Sequence, residues 1–187
     1  MILNRTLEGQ LVRLVPQRLE HAELLARWNA DAQVRHWLHR SEDPPELLGR
    51  SEMAKLVAQG LTDPGELRFM IEAEGRAIGE LRLREIHPCG RAELAILIGE
   101  PACWARGFGG DAIVTLLRFA FGELGLRRVT LITDADNARG IRCYERCGFR
   151  TEGVLRAHRL RYGQPLDMLA MAVLAQDFAA AGHARGE

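Results

Sequence analysis

The segment that decides the fold reads Trp104-Ala105-Arg106-Gly107-Phe108-Gly109-Gly110-Asp111-Ala112. It lies directly before the strongest helical period of the chain, in which apolar residues recur at positions 113, 116, 117, 120, 121 and 124. Glycines at this place allow a sharp turn and expose backbone N–H groups at a helix N-terminus, where unpaired donors and the helix dipole stabilise a phosphate. Arg106 adds a positive charge. The segment predicts an anion-binding turn; the alternative is a glycine-rich turn that only begins a helix.

Two common phosphate-binding loops do not fit this segment. A Walker loop needs Gly-Lys-Ser/Thr, which does not follow here. A dinucleotide-binding loop has its third glycine where Ala112 stands, and it belongs to a parallel sheet. A nicotinamide-dependent oxidoreductase is therefore only a weak alternative.

The residues before the loop predict helices followed by an antiparallel meander. The predicted elements are a strand at 10–15, helices at 18–29 and 31–38, a polar break at 41–45, a helix that ends near residue 59, and strands at 67–73, 77–86 and 91–99. Glu74-Gly75-Arg76 is the expected hairpin turn between the first two of these strands.

After the loop the pattern changes to strand, helix, strand. The predicted elements are a strand at 128–133, a helix at 138–147, a strand from 149, and a hairpin of strands at 156–161 and 166–174. We predict one mixed α/β domain over residues 1–178, with helices on both faces of a mostly antiparallel sheet. Residues 179–187 predict a flexible tail.

Two motifs in this order resemble the GNAT acetyltransferase superfamily, in particular its RimJ/RimL-like branch. Trp104 to Gly109 resemble the family's pyrophosphate loop, Gln/Arg-x-x-Gly-x-Gly/Ala, except at the first position, where this branch commonly has tryptophan. The second motif combines Asn137, Tyr144 and the pair Gly148-Phe149. The resemblance covers about residues 10–178. It implies a GNAT-like acyltransferase fold, in which the middle strands near 93–99 and 128–133 run parallel and splay apart. It also implies acetyl-CoA as cosubstrate, no metal, and acetyl transfer to an amine.

The resemblance also implies a cofactor site, residue by residue. A segment of backbone in the strand before the loop would pair with the pantetheine arm of CoA, as an added strand does. The loop would hold the pyrophosphate, and the second motif would reach the pantetheine. The residues so implied are Leu97, Ile98, Gly99, Trp104, Arg106, Gly107, Phe108, Gly109, Gly110, Asn137 and Arg142.

The resemblance makes Tyr144 the candidate general acid and Glu93 the candidate proton acceptor. A phenol can donate a proton to a departing thiolate of similar basicity; the alternative is a core tyrosine beside Ile141. Glu93 stands among apolar residues where this superfamily often has a carboxylate, and its alternative is a solvated strand residue. Related ribosomal-protein acetyltransferases have a glutamate in the next strand, where this chain has Ile132. Asp134 is the second candidate base, or a helix cap.

Three other residues near the motifs have simpler interpretations. Cys143 and Cys147, four positions apart on one helix, are expected to be small packed residues. An acyl-carrier thiol is the alternative to direct transfer. Asp167 resembles an aspartate of the RimJ/RimL-like branch, and its alternative is a hydrogen-bond anchor in the sheet.

The composition limits the partners. Lys plus Arg and Asp plus Glu number 25 each, so the formal net charge is +0 and predicts neither a nucleic acid nor a membrane as partner. No apolar run approaches the roughly 18 residues of a membrane span, and residues 1–10 do not resemble a signal peptide. We expect a cytoplasmic protein with reduced cysteines. A homodimer is left open.

The acceptor is the least determined part of the function. Residues 20–46 mix acidic with basic side chains, without the acidic patch that a polycation favours. This pattern favours a protein N-terminal amine or a small amine compound, acetylated by direct attack in a ternary complex. A polyamine or aminoglycoside acceptor is the alternative. A non-catalytic acyl-CoA-binding sensor or interaction module is an alternative of another class.

Overall fold

The computed structural model describes residues 5–38 and 48–182. The polar break predicted at 41–45 and the last five residues of the predicted tail lie outside the described residues. The strands are β1 (Leu7–Glu8), β2 (Arg13–Pro16), β3 (Leu67–Ala73), β4 (Arg76–His87), β5 (Arg91–Ile98), β6 (Arg128–Asp134), β7 (Arg150–Arg161) and β8 (Gln164–Leu174). The helices are α1 (Ala22–Ala30), α2 (Ala32–Arg35), α3 (Arg50–Thr62), α4 (Phe108–Gly122), α5 (Ala138–Arg146) and α6 (Ala175–Ala180).

The strands form one sheet in the order β1-β2-β3-β4-β5-β6-β8-β7. Every neighbouring pair is antiparallel except β5 and β6, which are parallel. The predicted mixed fold with one parallel pair in the middle is therefore confirmed. A parallel pair needs a crossover connection, and here α4 provides it.

The larger core lies between one face of the sheet and α4. Ile113, Leu116, Leu117 and Ala120 are fully buried, which is the face that their helical spacing predicted. Burial of each large aliphatic side chain stabilises the fold by about 1.5–3 kcal/mol. The helix that begins at the glycine loop is thereby fixed against the sheet.

A smaller core lies on the opposite face. Side chains alternate between the faces of a strand, so Phe69 and Ile71 of β3 belong to the larger core while Met70 packs with α1 and α3. Trp28 of α1 is almost fully buried there, and its indole Nε1 donates to Glu100 Oε1 at 2.8 Å. The helices thus cover both faces of the sheet, as predicted.

Three differences from the predicted elements have local causes. The two-residue β1 and the six-residue α6 are too short to show a period in the sequence. Helix α6 continues to Ala180, two residues past the predicted domain boundary at 178. β7 is continuous from Arg150, with a register shift between Leu155 and Arg159. Asp167 Oδ1 accepts a hydrogen bond from the Ala157 N–H at 2.8 Å inside that irregularity, as the anchor interpretation expects.

Within the described ranges, no helix is long and apolar enough to cross a membrane.

Candidate active site

The site begins where β5 and β6 stop pairing. Their parallel register runs from Arg91 opposite Arg128 to Glu93 opposite Thr130 and goes no further. Beyond this point, residues 94–98 and 131–133 line a cleft of about 1210 Å³. The predicted splay is confirmed, and it leaves backbone groups on facing strand edges without strand partners.

The glycine loop closes one end of this cleft. Gly107 is the N-cap of α4, with φ 89°, a left-handed conformation that favours glycine. No side chain caps the helix there, so its first N–H groups remain available to an anion. Asp111, the acid of the first turn, accepts instead from the backbone of Leu11 at 2.7 Å. Gly107, Gly109 and Gly110 all line the cleft, which supports the anion-binding interpretation.

Two residues of the predicted loop set have other positions. The Phe108 side chain belongs to the larger core. The Arg106 guanidinium is paired with Glu74 of the β3–β4 turn and stacks on Phe108, and Arg106 is not among the residues that line the cleft. The Glu74 hydrogen bond raises the pKa of Arg106. These two residues can contribute backbone groups, but the charge expected from Arg106 is neutralised locally.

Three arginines of α5 bring positive charge to the cleft instead. They are Arg139, Arg142 and Arg146, which line it and have no ion pair within residues 5–38 and 48–182. The Arg139 guanidinium lies 4.1 Å from the centre of the Trp104 ring, a cation–π geometry. Only Arg142 was predicted. A pyrophosphate at the α4 N-terminus would find its counter-charge on this neighbouring helix.

The hydrogen bonds of the β5 backbone determine which of its N–H and C=O groups face the gap. The Gly99 N–H donates to Ile78 O at 2.9 Å. In an antiparallel pair, every second residue of a strand directs its N–H and C=O groups to the same neighbour, so the backbone groups of Leu97 and Gly99 point towards β4. The backbone of Ile98 and Ile96 then faces the gap. Trp104 Nε1 donates to Ile98 O at 2.8 Å. Of the three predicted pairing residues, only Ile98 therefore faces the gap, and Ile96 was missed.

Asn137 caps α5 and is connected to the candidate acid. Its Oδ1 accepts from the Gly140 N–H at 3.0 Å, and its Nδ2 donates to Thr133 Oγ1 at 3.3 Å. Thr133 is buried and forms a further side-chain hydrogen bond with Tyr144. Because the Thr133 oxygen already accepts from Asn137, its own proton can be donated to the phenol. Sequence reasoning missed Thr133, which has no motif signal.

Tyr144 is half-buried and lines the cleft on α5. Burial of the phenol, and secondly the neighbouring Cys143 thiol, raise the pKa of Tyr144 above its ordinary value of 10.0, while the Thr133 hydrogen bond lowers it. The ring also packs edge-on against Phe149. The residue therefore contacts the core and the cleft together, and it keeps its proton at neutral pH.

Glu93 lines the same cleft from β5. Its Oε1 is paired with Arg84, its cross-strand neighbour on β4. Its Oε2 has no hydrogen-bond partner in the described part of the chain and is not among the buried unpaired atoms, so water can reach it. One oxygen is held in place and the other can accept a hydrogen bond from a ligand or water.

Asp134, the second candidate base, is fully buried beneath two arginines. Its Oδ1 lies 2.8 Å from Arg159 Nε, and its Oδ2 lies 2.6 Å from an Arg161 nitrogen. Arg161 also binds Asp136, and that hydrogen bond holds the pKa of Asp136 below its ordinary value. Asp134 is not among the cleft-lining residues. Its place indicates a structural anchor between β6 and β7.

The two thiols of α5 lie under the glycine loop. Cys147 is buried and its Sγ donates to Gly110 O at 3.6 Å. The side-chain interaction with Cys147 lowers the pKa of Cys143, which lines the cleft. Within residues 5–38 and 48–182 there is no cluster of three or more His, Cys, Asp or Glu side chains arranged for a metal ion.

Comparisons with known proteins agree with this geometry. The family model described as an acetyltransferase (GNAT) domain matches residues 12–150. The spermidine N(1)-acetyltransferase of Escherichia coli K12 is 29% identical over 171 residues, which are 90% of this chain and 89% of that protein. The Vibrio cholerae spermidine N(1)-acetyltransferase is 32% identical over 135 residues, 71% and 76% of the two chains. The crystal structure of a spermidine N-acetyltransferase from Vibrio cholerae in complex with CoA and spermine has a TM-score of 0.81 and 25% identity, over 91% of this chain and 99% of that chain.

Gly109 gives a test of the loop. An added Cβ there would lie 3.7 Å from Ile98 and 3.9 Å from Ile96, which is ordinary contact. We expect Gly109→Ala to retain most acetyl-CoA affinity. We expect Gly109→Val, whose further methyl groups extend towards Ile96 and Ile98 in the cleft, to weaken binding at least about tenfold, or about 1.4 kcal/mol. Calorimetry measures both; equal affinities for the valine variant and the unaltered protein, with both folded, would contradict the loop assignment.

Proposed function

This chain belongs to the GNAT acetyltransferase family, and we propose that it transfers the acetyl group of acetyl-CoA directly to a primary amine held on the opposite face of the sheet. The observation that carries the proposal is one continuous cleft. It runs from the glycine loop through the gap between β5 and β6 to side chains of α2, β4 and β7. The thioester and the amine can therefore meet between Tyr144 and Glu93, and holding two reactants in place removes much of the entropic cost of reaction.

Tyr144 is proposed as the general acid. When the amine nitrogen attacks the thioester carbon, the carbon–sulfur bond breaks and the sulfur takes up negative charge. The Thr133 hydroxyl accepts from Asn137 and can donate its own proton to the phenolic oxygen, which leaves the phenolic proton for the departing sulfur. A raised pKa suits this role, because the donor is fully protonated at neutral pH.

Glu93 is proposed as the proton acceptor, directly or through water. An alkylammonium has a pKa of about 10 and an α-amine of about 8, so the acceptor must lose a proton before it attacks. Arg84 fixes one carboxylate oxygen and leaves the solvent-accessible Oε2 for this proton. Asp134 is a weaker candidate, because two guanidinium groups cover it.

Direct transfer is favoured over a thiol carrier. The Cys143 sulfur lies behind the glycine loop, where an added Cβ on Gly110 would approach it to 3.7 Å, and Cys147 is its hydrogen-bond partner. A carrier at this position would have to release its acetyl group to an amine on the other face of the sheet. Tyr144 and Glu93 serve direct attack without that second step.

Two observations support different classes of acceptor. The relatives named above are spermidine acetyltransferases, which supports a polyamine. The described cleft supports a small amine compound or an N-terminal amine, because arginines outnumber glutamates at its acceptor end. The arginines there are Arg82, Arg84 and Arg159, and the glutamates are Glu80 and Glu93. A polycation gains little from such a surface. The RimJ/RimL-like branch assignment stays a prediction.

A thiol-release assay with acetyl-CoA tests the function and its acceptor class together. The panel comprises spermidine, an aminoglycoside, a peptide with a free N-terminus and small monoamines. We expect release, with a higher kcat/KM for a small monoamine or the peptide than for spermidine. Acetyl-CoA binding without release for any amine would contradict the enzyme and favour a sensor module, and a marked preference for spermidine would contradict the acceptor class.

Tyr144→Phe removes only the proposed acid. The ring keeps its packing on Phe149, so thermal stability changes little, whereas kcat is expected to fall about 10²–10⁴-fold with unchanged acetyl-CoA affinity. Because the pKa of Tyr144 is raised, kcat of the unaltered protein should show no loss from tyrosine ionisation as the pH rises to 10.0. Tyr162→Phe, in the exposed β7–β8 turn, is the control. Turnover of Tyr144→Phe within threefold of the unaltered protein would make this tyrosine a core residue.

Glu93→Gln tests the proton acceptor. The amide can still accept from Arg84, so the fold and acetyl-CoA affinity should be kept while turnover falls. The loss should be largest below the pKa of the amine and should shrink as the pH rises, because more amine is then neutral. Glu152→Gln removes a comparable carboxylate, paired with Arg128 away from the cleft, and serves as the control. Equal rates for Glu93→Gln and this control at neutral pH would exclude the role.

A further inference from the structure

Arg82 is a cation at the acceptor end of the cleft, and its two ion-pair partners lie too far away for hydrogen bonds. Its side chain is 29% exposed, and the nearest carboxylate oxygens are those of Glu66 at 3.9 Å and Glu80 at 4.0 Å. Both distances exceed a hydrogen bond. Its Nε is buried and has no hydrogen-bond partner in the described part of the chain. A guanidinium has five N–H donors, so Arg82 brings to the cleft N–H groups that a ligand can bind.

The neighbouring carboxylates are engaged by other residues. Glu66 Oε2 is paired with Arg68 at 3.0 Å. Glu80 Oε2 accepts from Gln17 Nε2 at 3.1 Å. Since burial of a cation without hydrogen bonds is costly, the protein gains from a ligand that supplies an acceptor to Arg82. A planar, two-oxygen anion is the group that a guanidinium binds best, through two parallel hydrogen bonds.

The β4–β5 register places Arg82 close to the proposed chemistry. Arg84 stands opposite Glu93, and Arg82 stands opposite Ala95 on the same face. Arg82 and Glu93 are therefore diagonal neighbours, whose backbones lie about 7–8 Å apart. Long side chains can converge over the small side chain of Ala95. A ligand of a few carbon atoms can thus present an amine near Glu93 and an anion to Arg82.

This end of the cleft also has apolar lining residues, beside Glu80, His158 and Arg159. They are Trp37, Leu38, Ile132, Leu160 and Met168. Trp37 lies on the α2 side, and the Arg161 guanidinium lies 5.3 Å from its ring centre. This apolar wall can receive a hydrocarbon side chain.

We propose that the acceptor is a small amine that also carries a carboxylate, and that Arg82 binds this carboxylate beside the Arg84–Glu93 pair. The inference rests on the proposed function, because it identifies the substrate class of the same acceptor site. Among the described residues, Arg82 offers the acceptor a cation, which favours an anionic group over a second amine at this position.

Binding of matched probes tests the proposal without requiring turnover. L-leucine, L-phenylalanine and 4-aminobutyrate are each compared with the corresponding amide, which keeps the amine and the hydrocarbon and removes the negative charge. Calorimetric titration into the protein saturated with CoA should show at least one carboxylate bound at least about tenfold more tightly than its amide, or about 1.4 kcal/mol. Equal affinities within every pair, or tighter binding of spermidine than of every carboxylate, would overturn the proposal.

Two variants connect the preference to the residue. In Arg82→Gln the ratio of the affinity for the carboxylate to the affinity for its amide should fall towards one. Arg82→Lys keeps the positive charge but not the two parallel hydrogen bonds, so it should retain part of the preference. Arg150→Gln, at an exposed arginine of β7, should keep the full preference. A preference that survives Arg82→Gln in a folded protein with normal acetyl-CoA affinity would overturn the assignment. A failure of the proposed function would appear separately, as bound amine without thiol release.

Discussion

The structure depends on the parallel pairing of β5 and β6 and on the short extent of that pairing. Two parallel strands inside an otherwise antiparallel sheet require a crossover, and α4 is that crossover. Because the register ends at Glu93 and Thr130, the strands enclose a gap at the end of the sheet where α4 begins. The glycine loop, the unpaired strand edges and the residues proposed to bind the acceptor therefore line one cleft.

Side chains maintain that gap from both ends. Trp104 donates to the Ile98 carbonyl, and Trp28 packs so closely on Gly99 that any Cβ at that glycine would lie 2.1 Å from the ring. Asp134 and its two arginines tie the end of β6 to β7, and Arg159 also donates to the Leu38 carbonyl at 3.1 Å. Removal of one partner from such a buried ion pair usually costs 3–5 kcal/mol, so this network is better explained as an anchor than as a base.

The sequence was sufficient for features that are encoded locally. The apolar period of α4, the glycines before it and the β-branched run of β6 each predict an element, and their order predicts the parallel pair. The sequence was insufficient wherever a residue's role depends on a partner that is distant along the chain. Arg106 is neutralised by Glu74, 32 positions earlier, while the arginines of α5 remain unpaired among the described residues. The direction of the β5 backbone follows from its register with β4, so Ile96 could not be distinguished from Leu97. Arg82 belongs to no sequence motif, because its place in the cleft follows only from the register of β4 with β5.

The central claim is that the unpaired edge of β5 receives the pantetheine arm of acetyl-CoA. Residue-resolved amide hydrogen exchange tests it most directly, because an amide is protected when it donates a hydrogen bond. In the free protein the account predicts slow exchange at Leu97 and Gly99, which face β4, and faster exchange at Ile96 and Ile98, which face the gap. Saturating acetyl-CoA should slow exchange at Ile96 or Ile98 and leave Leu97 and Gly99 nearly unchanged. If acetyl-CoA binds and neither Ile96 nor Ile98 gains protection, the cofactor does not lie between these strands and the account is contradicted.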